Sequence, residues 1–283
     1  MEKMRNIIIA LFIAAGLMAA CDRIEGPYII PSEVEDVTVE FPPLDQSSVF
    51  RKLLIEEYTG HYCPNCPDGH EELDRLHTVF GDTLVMVGIH AGALAAPQSG
   101  IPAFSYDFRT DVGNELRTFF NIDGIPVAII NRHQNIVSPA RWQSKLEAES
   151  RTPMAAIQLI NQYGTMQPDV LKVNAKVTML ADYPNALRLS LFLIEDNVIK
   201  PQLKHTETIM EYTHKHVLRA GLNGTFGDLL SSDGVLQKDS AYMYGRSISF
   251  AGHDWNPDNC SVVAILHDKA NGKVLQVEQL RVK

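Results

Sequence analysis

The stretch Leu53-Leu-Ile-Glu-Glu-Tyr-Thr-Gly-His-Tyr-Cys-Pro-Asn-Cys-Pro67 constrains the fold more than any other part of the chain. Leu53 to Tyr58 is mostly apolar and reads as a buried strand. Thr59 and Gly60 break it. Cys63 and Cys66 follow, and Asp68 to Phe80 has helical spacing, with Leu73, Leu76, His77 and Phe80 on one stripe. A strand, a turn, Cys-x-x-Cys and a helix is the setting in which the motif does redox chemistry. The spacing puts Cys63 at the helix start, where unpaired N–H groups and the positive dipole end favour a thiolate. Such placement lowers a cysteine pKa to roughly 3.5–7.5. Pro64 suits the first helical position, since the N–H it lacks has no partner there.

The first 20 residues read as a targeting segment. Lys3 and Arg5 open it, Ile7 to Ala20 is apolar, and small residues precede Cys21. Leu17-Met-Ala-Ala-Cys21 resembles the lipobox of bacterial lipoproteins, although Met18 stands where Leu is usual. That resemblance implies that Cys21 is lipidated and becomes the mature N-terminus; the alternative is an ordinary secretory signal. Residues 21–48 read as a tether, rich in Pro27, Pro31, Pro42, Pro43 and carboxylates. Beyond residue 20 no run approaches the roughly 20 apolar residues of a membrane span. A formal net charge of −9, with scattered basic residues, argues against nucleic acid as a partner. Export implies an oxidising compartment, so Cys63 and Cys66 are competent to pair. Two residues between cysteines close too short a loop to be an effective staple.

From Val49 the pattern is strand, Cys-x-x-Cys helix, strand, helix, strand. Thr83 to His90 is a near-continuous apolar run, as in a strand buried on both faces. Asp111 to Asn121 reads as a helix with Val112, Leu116, Phe119 and Phe120 inward, and Trp142 to Ser150 as another. Between them Asp123-Gly-Ile-Pro-Val-Ala-Ile-Ile130 places a proline at a strand boundary, where a lost ladder donor is tolerated. Cys-x-x-Cys after a strand, with Gly124-Ile125-Pro126 before a later one, resembles thioredoxin over roughly Val49 to Ser150. The resemblance implies a cis Pro126 facing the disulfide and a buried acid six residues before the first cysteine, which is Glu57 here. Tyr62 replaces the usual Trp, and Pro64-Asn65 the usual Gly-Pro. On this reading Cys63 is the exposed attacking thiolate and Cys66 the buried resolving thiol. Glu57 relays the proton of Cys66 with a pKa raised by burial. Pro126 holds the substrate strand, and Tyr62 and Ile125 are candidate substrate contacts. Ala91 to Phe108 is longer than such a fold needs, and a loop of that length is usually functional or disordered.

After Pro153 the period becomes two. Leu171, Val173, Ala175, Val177 and Met179 alternate with polar residues, and Leu187, Leu189, Leu191 and Leu193 share a face. Cys260 to His267 and Lys273 to Val282 flank a hairpin loop, Asp268 to Gly272. Cys260 itself reads as a small buried hydrophobe. Strands without intervening helices predict an antiparallel β-sandwich. The expected organisation is therefore a signal peptide (1–20), a tether (21–48), an α/β thioredoxin-like domain (49–153) and an antiparallel β-sandwich domain (154–283). The lipobox, the Cys-x-x-Cys stretch, Tyr212-Thr-His-Lys-His-Val-Leu-Arg219 and Trp255-Asn-Pro-Asp-Asn-Cys260 together resemble the Omp28-related outer-membrane lipoproteins of the Bacteroidetes.

Other chemistries compete at single residues. Cys66 and His70 are four apart on a helix, with His61 and His77 near, but structural zinc sites want a second ligand pair and none has that spacing. Covalent haem is excluded because Pro67 stands where Cys-x-x-Cys-His needs histidine. His214 and His216 would share a strand face, either as part of a metal site or, the commoner case, as a solvated or hydrogen-bonded pair. No catalytic triad, phosphate loop or dinucleotide fingerprint is found. No metal and no cofactor are expected. Two functions stand. One is thiol–disulfide exchange on the thiols or disulfides of exported proteins, at the outer membrane and held there by the lipid anchor. The other is a non-catalytic surface binding or assembly module that uses the thioredoxin fold as scaffold, with its site around Tyr212 to Arg219.

Overall fold

The computed structural model describes residues 39–133, 135–230 and 236–283. Cys21, the expected signal peptide and most of the expected tether lie outside the described residues. The first half runs β1 (Leu53–Thr59), α1 (Cys66–Phe80), β2 (Leu84–His90), α2 (Asp111–Phe119), β3 (Val127–Ile130), β4 (Ile136–Val137) and α3 (Trp142–Glu147). β1 and β2 are buried along their whole length and pair in parallel, Leu53 opposite Leu84 through Thr59 opposite His90. Parallel neighbours need a crossover, and α1 supplies it. β3 then runs antiparallel to β1, with Ile55 opposite Ile130.

Two expectations about α1 are corrected. The helix begins at Cys66, so Cys63 lies in the preceding turn and Pro67, not Pro64, occupies the first helical turn. His77 is exposed, and the inward stripe is Cys66, Gly69, Leu73 and Leu76. Leu73, Leu76 and Phe80 of the expected stripe do pack on the core, and His77 alone falls outside it, because the helix comes down on β1 through its Gly69 side. On α2, Val112 and Leu116 face inward as expected, whereas Phe119 is 55% exposed and packs on Phe226 and Phe120 at the surface.

The second half is β throughout: β5 (Ala155–Tyr163), β6 (Val170–Met179), β7 (Leu187–Glu195), β8 (Val198–Lys204), β9 (Glu207–His214), β10 (Val217–Gly221), β11 (Asp228–Leu229), β12 (Ala241–Ser249), β13 (Cys260–Asp268) and β14 (Val274–Arg281). Among the described residues these strands form three sheets. The largest has the order β14-β13-β7-β10-β2-β1-β3-β4, with β11 also on β7; β12-β6-β5 is a second sheet, and β8-β9 a separate hairpin. The large sheet does not stop at Pro153, because β10 joins β2 in parallel through Val217 opposite Gly88. Gly88 suits this junction. A Cβ there would lie 3.3 Å from the Lys215 carbonyl oxygen.

Alternation decides where each face goes. Leu187, Leu189, Leu191 and Leu193 of β7 pack with Leu171, Val173, Ala175 and Val177 of β6, so the three-stranded sheet covers one face of β7, β13 and β14. Phe192 and Ile194, on the other face of β7, join Leu54, Val87 and Leu116 from the first half. α1 and α3 cover the remaining face of β1 to β3 through Leu73, Leu76, Trp142 and Leu146. Among the described residues no helix is long and apolar enough to cross a membrane.

Candidate functional site

Cys63 and Cys66 form a disulfide with Cα atoms 5.4 Å apart. The Ile125–Pro126 bond is cis, as the thioredoxin resemblance implies, and the Ile125 carbonyl oxygen lies 4.0 Å from Cys63 Sγ. Pro126, α1 and Glu57 meet at Gly69. A Cβ on Gly69 would sit 3.1 Å from Pro126 Cβ and 3.4 Å from both Glu57 Oε1 and the Trp142 ring. Glycine at this turn lets the helix come down onto the proline and the acid together. Tyr62 and Ile125 are half-buried, and the Tyr62 ring sits edge-on to Phe104 at 4.9 Å.

The expected exposure of Cys63 is corrected. Cys63 is 2% exposed and Cys66 is fully buried. The cover comes from the β8–β9 hairpin. Leu203 N–H donates to the His61 carbonyl and His205 N–H to the Pro64 carbonyl, each at 2.8 Å. The Gln202 side-chain amide donates to the Cys63 carbonyl at 3.1 Å and to the Gly60 carbonyl at 3.4 Å. Leu203, near the end of β8, and His205, in the turn that follows it, thus both pair with the cysteine loop. Lys204 with Glu71 at 2.5 Å and Lys215 with Asp74 at 2.8 Å tie the hairpin and its exit to the outer face of α1.

Two neighbouring carboxylates meet opposite fates because successive side chains on a strand point to opposite faces. Glu56 is buried against Arg132, with Nε 3.1 Å from both carboxylate oxygens and Nη2 2.9 Å from Oε1. Glu57, on the other face, has no cationic partner of that kind. Its Oε1 is buried without a hydrogen-bond partner. Burial pushes its pKa from 4.5 up to about 8, opposed by a hydrogen bond from the Thr59 hydroxyl. Glu57 is therefore a carboxyl that changes protonation near neutral pH, on the face of the sheet that carries α1.

Beside Glu57 lies a cavity of about 40 Å³, lined by Thr59, His70, His90, Tyr212, His214 and neighbouring residues. His70 comes from α1, one turn after Cys66. Its Nε2 lies 2.8 Å from Thr59 Oγ1 and its Nδ1 2.8 Å from the Tyr212 hydroxyl. Burial pushes His70 down to about 4 and His214 down to about 3, so both are neutral at pH 7. Of the solvated or hydrogen-bonded strand face expected for His214, the solvated alternative falls, because His214 is buried, with its ring 5.4 Å from that of His90. β9 ends at His214, so His216 falls outside the strand and its Nδ1 lies 3.2 Å from Asp196. The hairpin carries Tyr212 and His214 against Glu57 and His70, which unites the two places that sequence alone held apart.

The long loop 91–108 is packed. It forms two short turns, Ala93–Ala95 and Pro102–Phe104. Phe104 and Phe108 flank the His61 ring at 5.4 and 5.2 Å, and Phe108 stacks on His90 at 4.4 Å. Among the described residues no three His, Cys, Asp or Glu side chains are grouped so as to hold a metal ion. Cys260 is a free, fully buried thiol whose pKa burial pushes up to about 12. Thr59 and His90 were not among the sequence-derived site residues, and His70 entered only as a metal ligand. The available signal was two spacings, Glu57-x-Thr59 on one strand face and Cys66 to His70 on one helix face.

A family model described as outer membrane protein Omp28 matches residues 113–283. No curated protein matches the sequence. Among solved structures, HBP35 of Porphyromonas gingivalis is similar with a TM-score of 0.64 and 18% identity, over 83% of this chain and 76% of that one. At that identity the likeness is one of fold. Protein AGR_C_4864 from Agrobacterium tumefaciens aligns with a TM-score of 0.49 and 12% identity, over 82% of this chain and 95% of that one. A domain of the outer membrane lipoprotein Omp28 from Porphyromonas gingivalis aligns with a TM-score of 0.32 and 19% identity, over 48% of this chain and 93% of that one.

Proposed function

The chain belongs to the outer membrane protein Omp28 family, and on that premise we propose that it is an exported outer-membrane lipoprotein that performs thiol–disulfide exchange on other exported proteins. The observation that carries this reading is Glu57. A buried carboxyl without an ion-pair partner destabilises a fold and has no use beside a purely structural disulfide, whereas packed against Gly69, three residues along α1 from Cys66, it serves exchange as a proton relay. Cys21 is the lipid anchor in this reading, and the three-stranded sheet over β7, β13 and β14 is the sandwich half.

The chemistry balances in either direction. A partner thiolate attacks Cys63 Sγ, the Cys63–Cys66 bond breaks, and Cys66 leaves as a thiolate that takes the Glu57 proton. A second partner thiolate then attacks the partner sulfur of the mixed disulfide and releases Cys63. The partner is oxidised to a disulfide and the pair is reduced. In reverse, Cys63 attacks a partner disulfide, and Cys66, deprotonated by Glu57, displaces the reduced partner. Both directions require the hairpin to move, because Cys63 is 2% exposed. That same burial favours the second reading, a binding or assembly scaffold with an inert disulfide.

The separating experiment expresses Cys66→Ala, with Cys260→Ser in the same chain, in the native host. Exchange predicts reducible adducts with exported proteins that vanish when Cys63 is also replaced. Absence of Cys63-dependent adducts, with function kept when both cysteines are Ala, would overturn it in favour of the scaffold.

A further inference from the structure

We propose that Thr59, His70 and Tyr212 form a hydrogen-bonded proton wire that connects the buried Glu57 carboxyl to solvent, and so makes them relay residues for the exchange reaction. The inference rests on that reading of Cys63 and Cys66. Each round of exchange moves one proton between Glu57 and Cys66, and Glu57 must then recover or release a proton. Its side chain is 2% exposed, so solvent does not reach it directly.

The polar neighbours of Glu57 are arranged in series. The Thr59 hydroxyl, two residues along the same face of β1, is the hydrogen-bonding group that holds the Glu57 pKa down against burial. Thr59 has one O–H, so when it donates to the ionised carboxylate it must accept from His70. His70 Nε2, 2.8 Å away, then carries the imidazole proton. In a neutral imidazole that leaves Nδ1 as acceptor, and the Tyr212 hydroxyl at 2.8 Å is placed to donate to it. All three donors thus point inward, from Tyr212 through His70 and Thr59 to Glu57. One concerted shift of three protons along the wire loads Glu57 from outside, and Tyr212 recovers its proton from water. No bond other than these O–H and N–H bonds changes, and no charged imidazolium is needed. His70 Nε2 to Glu57 Oε1 is 3.7 Å, beyond a direct hydrogen bond, so Thr59 is an obligatory link. The outer end is Tyr212, which is half-buried and so meets solvent.

The wire spans three elements, which is why one sequence window could not show it. Glu57 and Thr59 share a face of β1, His70 follows Cys66 by a turn on α1, and Tyr212 comes from the hairpin. The charged and titratable groups facing it are Asp74 and Glu71 on α1, His90 on β2, His214 on β9, and Lys215 and His216 beyond β9. His90 and His214 are held neutral by burial.

The test is the pH profile for reduction of the Cys63–Cys66 bond by dithiothreitol in the purified protein, for wild type, Thr59→Val, Thr59→Ser and Tyr212→Phe. Below the Glu57 pKa of about 8 the carboxyl already holds the proton that Cys66 takes, so a single turnover needs no relay. Above it the proton must come through the wire. Thr59→Val and Tyr212→Phe are expected to match wild type on the acid side and to fall behind by about tenfold or more on the alkaline side, the lower range of general-acid effects. Thr59→Ser keeps the hydroxyl and should follow wild type throughout. A merely structural role for Thr59 would slow both limbs alike, and that result, or unchanged alkaline rates, overturns the wire while leaving exchange intact. A wild-type disulfide that dithiothreitol does not reduce at any pH overturns both.

Discussion

At the scale of single residues, one strand position decides the electrostatics. Glu56 has Arg132 and its forked hydrogen bonds, so its burial is compensated. Glu57, one residue on, has only a threonine hydroxyl. This asymmetry makes a stability prediction with a definite sign. In the unfolded chain Glu57 titrates at its ordinary value of 4.5, and in the folded protein at about 8. Between those values the native state keeps a proton that the unfolded state has lost. Its contribution is therefore fully present below the unfolded pKa, falls as pH rises, and is lost once pH passes through the folded value. Each pKa unit is worth about 1.4 kcal/mol, so the total is a few kcal/mol. Glu57→Gln cannot titrate and should flatten this decline, making the variant the more stable protein at alkaline pH. Urea unfolding midpoints of both proteins across the window check it. Parallel pH curves would show that Glu57 reaches water in the folded state.

At the scale of elements, the hairpin is the part that the sequence hid. β6 and β7 were legible because each has an alternating apolar face that packs where its period says, β1, β2 and β13 because each is a near-continuous apolar run, and α1 through its stripe except at His77. β8 has no such pattern: Val198-Ile-Lys-Pro-Gln-Leu-Lys204 carries Pro201, and its pairing with β9 shifts register between Lys200 and Gln202. Its partner loop lies about 140 residues earlier, and no local pattern reports such a contact. The cover over Cys63 was therefore missed, and with it the union of Tyr212 and His70. The cover should be adjustable. Gln202→Ala removes two buried hydrogen bonds to the cysteine loop, worth about 1 kcal/mol each. The hairpin should then open roughly 5–30-fold more often, and reduction of the disulfide by a small thiol should speed up by the same factor. Lys204→Ala removes an ion pair at the surface and should change the rate little. A Gln202→Ala protein reduced no faster than wild type would mean that reagents reach Cys63 by another path.

At the scale of the whole molecule, the change of pattern at Pro153 marks a change of connectivity and not the end of a core. α/β wiring gives way there to antiparallel wiring, and that shift was readable from the period. The period could not say that both parts share one sheet, because β10 meets β2 through a single bridge, Val217 opposite Gly88. The shared apolar cluster is the stronger link. Leu54, Val85, Val87 and Ile89 of the first half pack with Phe192, Ile194, Val263, Ile265 and Val277 of the second. Arg51 adds side-chain hydrogen bonds to the Leu275 and Val274 carbonyls, at 3.2 and 2.7 Å. A fragment of residues 49–153 would expose the apolar face that these contacts cover, at roughly 25 cal/mol per Å² of apolar surface returned to water. Domain stabilities are only about 5–15 kcal/mol, so such a loss is not sustainable. The full chain should therefore unfold in one transition, with far-ultraviolet circular dichroism and Trp142 fluorescence, read in a Trp255→Phe background, coincident. Trp142 is fully buried in the first half, so a separately melting half would pull its signal away from the circular dichroism, to which both halves contribute. Two resolved transitions, or a 49–153 fragment that melts cooperatively by itself, would show that the shared cluster contributes less than its area implies. In that case the hairpin, held by the second half over the disulfide of the first, would be free to move with its whole domain.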